Sequence, residues 1–245
     1  VKIVKPSVEL LWITPEPYKH IEMSGRVCYK SEDKITKDSA VKFCSMIKQR
    51  GHESVVEHAV ASFKIICDRG VSHEIVRHRL ASYSQESTRY CNYSKDKFDN
   101  GISLSPMMTG LNDFQIDRRV TLWQHIEDVY LAEIADGVSP QQARDNLPTC
   151  LKTEIVMTAN FREWMHFINL RTSPAAHPQI RPVAEEIRLI LAEYCPTIFV
   201  APNHGSKTMT FTPEERAAIL HALSIDGEIN PTMAPALLAA MEKMK

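Results

Sequence analysis

A strand-like stretch, Ala59 to Cys67, lies between two segments too polar to be core, and this arrangement constrains the chain more than any other feature. The stretch is rich in Val, Phe and Ile, with polar interruptions at Ser62 and Lys64, and it leads into a helix after Gly70. Before it runs Gly51-His52-Glu53-Ser54-Val55-Val56-Glu57-His58. After it runs Arg77-His78-Arg79-Leu80-Ala81-Ser82-Tyr83-Ser84-Gln85-Glu86-Ser87-Thr88-Arg89-Tyr90, with three arginines, a histidine, four hydroxyls from Ser or Thr and two tyrosines. Two ligand-like segments therefore bracket one strand.

Val71, Ile75, Val76 and Leu80 recur at helical spacing, so the second segment starts as the end of a helix. Ser82, Ser84, Ser87 and Thr88 compete with helix by bonding nearby backbone, and the chain is expected to become a loop from about Ala81. Arginine forks match phosphate or carboxylate, and hydroxyls with loop amides supply further donors. A phosphorylated small molecule is the expected ligand. The competing reading is a solvated basic helix end that compensates the dipole.

Other chemistries fit less well. Ser87 lacks a Gly-x-Ser-x-Gly elbow, so it is not read as a nucleophile. His73 and His78 are five apart and share no helical face, and neither HExxH nor CxxC occurs, so no metal site is expected. Stacking of single-stranded nucleic acid on Tyr83 and Tyr90 is conceivable chemically, but the formal charge of -1 argues against it and against anionic membranes. The basic cluster is local.

A chain of 245 residues, 44% hydrophobic, without repeats or long linkers, suffices for one large compact unit. The six cysteines (28, 44, 67, 91, 150 and 195) form no CxxC pair, and with no apolar leader they suggest a reduced, cytoplasmic setting. Val1 to Ile13 reads as one or two edge strands. Helices are expected over Tyr18 to Cys28, Ser39 to Arg50, Phe114 to Asp136, from Ser139-Pro140 through Arg144, over Phe161 to Leu170, and over Val183 to Tyr194 after a Pro178 to Pro182 turn. Thr153 to Ala159 reads as a strand. Beyond Pro196, Thr212-Pro213-Glu214-Glu215 opens one further helix and Met233 to Met244 forms another. The expected division is a domain over 1–199 and a helical extension over 200–245 packed on it.

Arg77-His78-Arg79 followed by seven residues and Ser87 resembles the signature of flavin-dependent thymidylate synthases. Three further pieces follow the family order: Gly-His-Glu-Ser with Glu57-His58, the Ala143-Arg144 pair before Leu147-Pro148, and Asn160-Phe161-Arg162 running to Asn169-Leu170-Arg171. The resemblance spans about Ser24 to Pro196 and implies an α+β fold. Its central, largely antiparallel sheet would carry flanking helices and assemble as a homotetramer with shared active sites. It also implies FAD as cofactor, held without a Rossmann glycine motif, with NADPH and 5,10-methylenetetrahydrofolate as cosubstrates and deoxyuridine monophosphate (dUMP) as substrate.

By position, the resemblance assigns flavin contacts to His52, Ser54, Arg77, His78, Arg79, Gln85, Asn160, Arg162 and His166. It assigns dUMP contacts to Glu74, Arg77, Gln85, Glu86, Ser87, Thr88, Arg89, Arg144 and Arg171. Arg171 is the catalytic choice, because a fixed cation beside the uracil ring favours its deprotonated form. Three departures stand out: His166 where asparagine can occur, Glu74 where glutamine can occur, and the Thr172 to His177 loop. A non-catalytic nucleotide-binding module is the alternative function.

Overall fold

The computed structural model describes residues 1–200. The two expected C-terminal helices lie outside the described residues. The chain opens with strands β1 (Lys2–Ile3) and β2 (Ser7–Ile13), then helices α1 (Pro17–Val27) and α2 (Ser39–Gln49). Pro17 occupies the first turn of α1, where its missing N–H costs nothing. In α2 the residues at i, i+3, i+4 and i+7, namely Ala40, Phe43, Cys44 and Ile47, are the buried ones. Gly51 follows at φ +69°, a left-handed position that only glycine adopts without strain.

Strand β3 (Val60–Asp68) and helix α3 (Arg69–Ile75) come next, then β4 (Ala81–Gln85) and β5 (Ser103–Leu104). Helix α4 (Asp113–Ala135) and the short α5 (Pro140–Ala143) precede strand β6 (Lys152–Asn160) and helices α6 (Phe161–Arg171) and α7 (Ile180–Tyr194). The main sheet has the order β2-β3-β6-β4, with every neighbouring pair antiparallel. The β1–β5 pair is parallel and separate.

Strict alternation sets the core. Ala61, Phe63, Ile65 and Cys67 of β3 and Thr153, Ile155, Met157 and Ala159 of β6 are buried, while the intervening residues are only half-buried. The buried face packs against α1, α2, α3, α6 and α7 in one continuous cluster. Trp164 lies edge-on to Phe63 with centroids 5.1 Å apart, and its indole N–H donates to the Ala61 carbonyl at 3.1 Å. A smaller cluster joins Ile102, Leu104 and Leu151 to Trp123 and Tyr130 of α4. Along α4 the buried apolar residues are Trp123 and Tyr130; Val120 remains exposed, since the small parallel pair covers little of that helix.

The segment after α3 differs from the expected helix end and loop. The helix stops at Ile75, Arg77 to Leu80 make the return, and Ala81 to Gln85 is a strand paired with Ile155 to Ala159. Ala81, Tyr83 and Gln85 face inward and Ser82 and Ser84 outward, a period-2 pattern that the hydroxyl count had obscured. Inter-strand bonds to β6 satisfy the backbone better than local serine contacts would. The Tyr83 hydroxyl lies 2.9 Å from the Ile75 carbonyl and 2.6 Å from that of His78, pinning the return. Two smaller boundary shifts accompany it. Arg144 falls on a 3₁₀ turn (Arg144–Asn146) just past α5, and α7 begins at Ile180, before Pro182, whose lack of an N–H is harmless in a first turn.

Antiparallel pairing positions the site. Both central strands run directly into helices capped by their last residues: Asp68 Oδ1 accepts from the Val71 N–H at 2.7 Å, and Asn160 Oδ1 from the Glu163 N–H at 2.9 Å. In register, Val60 pairs with Asn160 and Asp68 with Lys152, so α3 and α6 start at opposite ends of the sheet and run toward each other. Their C-terminal ends meet over its buried face.

Candidate active site

Arg171, the last residue of α6, is fixed there from three directions. Its Nη1 donates to Glu74 Oε2 at 2.7 Å, its Nη2 to the Glu74 carbonyl at 2.8 Å, and its Nε to His78 Nε2 at 3.1 Å. These bonds use three of the five guanidinium N–H donors and leave two for a ligand. The other ring nitrogen of His78, Nδ1, is 3.0 Å from Glu163 Oε1. His78 is buried, and burial first, then the Arg171 and His166 charges, pushes its pKa down to about 4. The imidazole is therefore neutral at ordinary pH, and its contact with Glu163 is a hydrogen bond of neutral imidazole rather than an ion pair. Burial also raises the Glu163 pKa, with His166 pulling the other way.

His78, Glu163 and His166 bring three potential metal-ligating atoms within 4.8 Å of one another. The donor chemistry does not suit a cation: Arg171 occupies the Nε2 lone pair of His78, Nδ1 carries the proton toward Glu163, and a permanent guanidinium charge stands beside both.

A second group lies along β4 and the turn after it. Gln85 donates to Ser72 Oγ at 2.8 Å and to Thr153 Oγ1 at 3.2 Å. Glu86 accepts from the Tyr93 hydroxyl at 2.9 Å and pairs with Lys152 at 3.1 Å. Burial and the Glu86 charge raise the Tyr93 pKa, keeping it a donor. Ser87 Oγ faces the Arg89 N–H at 3.4 Å, Thr88 is buried, and the exposed Arg89 stacks over the Tyr90 ring at 5.3 Å. A cleft of about 440 Å³ is lined here by Gln85, Glu86, Lys152 and Lys97 among others.

A third group surrounds the start of α6. Arg162 pairs with Glu57 at 2.6 Å and with Glu53 at 3.6 Å in an exposed network, beside the exposed His52 and Ser54. Exposed Arg162, His166 and Asn169 follow at i, i+4 and i+7, a single stripe of nitrogen donors roughly 10 Å long at 1.5 Å per residue. Asn160 contributes its amide oxygen to the helix cap, leaving its NH₂ for a ligand.

Of the residues expected from sequence, Glu74, His78, His166 and Arg171 come together, flanked by exposed Arg77 and Arg79. Gln85, Glu86, Ser87, Thr88 and Arg89 form the second group, and His52, Ser54, Asn160 and Arg162 the third. Arg144 is exposed on its 3₁₀ turn and joins none of these among the described residues. Sequence reasoning missed Glu163, Tyr83 and Lys152. Glu163 looks like an ordinary first-turn acid, and only its burial marks it; for Tyr83 the signal was the alternation of β4.

The fold and these groups define an α+β protein whose polar segments lie on the helices and turns around one antiparallel sheet. The family profile described as thymidylate synthase complementing protein matches residues 9–197. The flavin-dependent thymidylate synthase of Geobacter sulfurreducens is 36% identical over 210 residues, 82% of this chain and 88% of that protein. That of Mycobacterium avium is 35% identical over 192 residues, 73% of this chain and 77% of its own length. The chain belongs to the flavin-dependent thymidylate synthase family, a family of enzymes. The crystal structure of a UMP/dUMP methylase, PolB from Streptomyces cacaoi bound with 5-Br dUMP, superposes with a TM-score of 0.69 at 21% identity, covering 81% of this chain and 95% of that one. That likeness is one of fold. Among the described residues no helix is long and apolar enough to cross a membrane.

Proposed function

We propose that the protein makes thymidylate from dUMP by reductive methylation, with 5,10-methylenetetrahydrofolate as carbon donor, NADPH as reductant and FAD as bound cofactor. The carrying observation is Arg171, held by Glu74 and His78 with two donors to spare at the return that carries the exposed Arg77 and Arg79. The dUMP-binding methylase of like fold and the names of the relatives support the same substrate. The activity would reside in residues 1–199, consistent with the span matched by the family profile.

The flavin fits the donor set: an acceptor-rich ring and a pyrophosphate suit the stripe Arg162, His166 and Asn169, with Arg77 and Arg79 at its far end and His52, Ser54 and Asn160 at its near end. The exposed Arg162 pairs are worth little in water, so a ligand anion can replace them. When bound and reduced, FAD supplies the hydride. The protein's own work is binding and charge placement. Ser87, Thr88 and Arg89 would hold the dUMP phosphate, with Gln85 and Glu86 fixing the nucleoside; Arg144, which stands apart from them within one copy, would reach the phosphate from a neighbouring copy in a shared site. Arg171 would face the uracil ring and stabilise its deprotonated form. No cysteine nucleophile is needed: Cys44, Cys67 and Cys195 are buried with their thiols pushed up to about 12, and thus inert.

Assembly as a homotetramer with shared sites belongs to the same proposal. Leu80 and Tyr90, each 77% exposed beside the site, are apolar surfaces that a neighbouring copy would cover. The test is an anaerobic assay with FAD, dUMP, methylenetetrahydrofolate and NADPH. Thymidylate formation with NADPH oxidation is expected. Protein that stays colourless with FAD yet binds dUMP would instead be a nucleotide-binding module.

A further inference from the structure

We propose that Glu163 is a positioning residue for Arg171, acting through the tautomer of His78; this rests on the assignment of Arg171 to the uracil ring. The Nε–H of an arginine donates at every accessible pH. It points at His78 Nε2 from 3.1 Å, so that nitrogen has to be the acceptor and the imidazole proton has to sit on Nδ1. Glu163 Oε1, 3.0 Å from Nδ1, is what receives it. The other tautomer would set N–H against N–H and release the guanidinium from one of its three anchors.

Glu163 is well placed to enforce this. It is 6% exposed, and its backbone N–H is tied to the Asn160 cap in the first turn of α6. Arg171 ends the same helix two turns later, about 12 Å along the axis, and long side chains lean back toward the N-terminus. The His78 ring fills the gap between the two. The edge of this ring also abuts Phe167, centroids 4.9 Å apart, which blocks a flip. Glu74 holds the opposite side of the guanidinium. Removing Glu163 therefore leaves the arginine charge in place and loosens its direction.

The experiment is solid-state NMR of protein labelled with ¹⁵N in histidine, His78 being assigned by difference from His78→Asn, together with steady-state kinetics. In the wild type His78 should show a protonated Nδ1 and an unprotonated Nε2; the reverse overturns the proposal without any variant. Glu163→Ala should lose that tautomer preference and lower kcat about ten-fold, the effect of one misdirected hydrogen bond, with the KM for dUMP little changed. Glu163→Gln, whose amide oxygen can still accept from Nδ1, should restore both. If Glu163→Ala keeps the tautomer, or shifts it with kcat unaltered, the proposal fails. The tautomer is read without turnover, so an inactive wild type would refute the reaction and not the relay.

Discussion

His78 makes stability depend on pH in a direction opposite to that of its neighbours. Its folded pKa, about 4, lies below the ordinary 6.5, so the folded state resists a proton that the unfolded chain accepts. The contribution is complete above pH 6.5 and is lost as pH falls through 4. At about 1.4 kcal/mol per decade, the full loss is roughly 3 kcal/mol, of which about 2 kcal/mol has gone by pH 5. Asp68, Glu163 and Glu186 are carboxyls raised by burial, and they act the other way, favouring the fold as pH falls. The comparison therefore needs a reference that retains them. His78→Asn keeps an N–H donor for Glu163 and removes the titration; its lost packing on Phe167 is an offset independent of pH. Urea unfolding at pH 7 and pH 5 gives the difference between wild type and variant at each pH. The wild type should lose about 2 kcal/mol more than the variant between them. Parallel losses would show that His78 is not held neutral by burial beside Arg171.

Three further outcomes follow from the packing and the site. Gly25→Ala should cost about 1–3 kcal/mol in urea unfolding, because a Cβ there would sit 2.7 Å from the Phe43 ring and 2.8 Å from Val55. Tyr83→Phe frees the Ile75 and His78 carbonyls, so it should destabilise by about 1 kcal/mol, and hydrogen exchange should quicken in the return from α3 to β4. Arg171→Ala should lower kcat by about a hundred-fold with the protein still folded by circular dichroism, whereas Arg89→Ala should chiefly raise the KM for dUMP, about ten-fold. If Arg171→Ala only unfolds, its assignment to the ring loses support.

The central strands and the long helices were legible because burial enforces their periods. Ala40, Phe43, Cys44 and Ile47 could face only one way on α2, and β3 and β6 alternate along their lengths except at Asp68, the buried cap residue that ends β3. The helix that follows Asn160 and ends in Arg171 was legible by the same logic. Strand β4 was not, since Ser82 and Ser84 carry turn propensity and only pairing with β6, whose partner residues lie some seventy positions away, overrides it. Glu163 was illegible for a related reason: its role exists only once α3 and α6 converge, and nothing local to Phe161-Arg162-Glu163 points to His78.

That convergence also explains why cations collect where they do. Strand β3 rises roughly 27 Å over its nine residues, while α3 and α6, of seven and eleven residues, together run about 25 Å back over the same face from opposite ends. Their C-termini therefore meet, and with them two sets of unpaired carbonyls and two negative dipole ends. A buried carboxylate pair would be repelled there, whereas an arginine is favoured: Arg171 Nη2 takes the Glu74 carbonyl directly, and Arg77 and Arg79 follow within the same return. The helix ends supply part of the counter-charge for Arg171, so only one carboxylate, Glu74, needs to contact it. A guanidinium held this way keeps its residual field, and that field is what an ionising ring or a phosphate would meet.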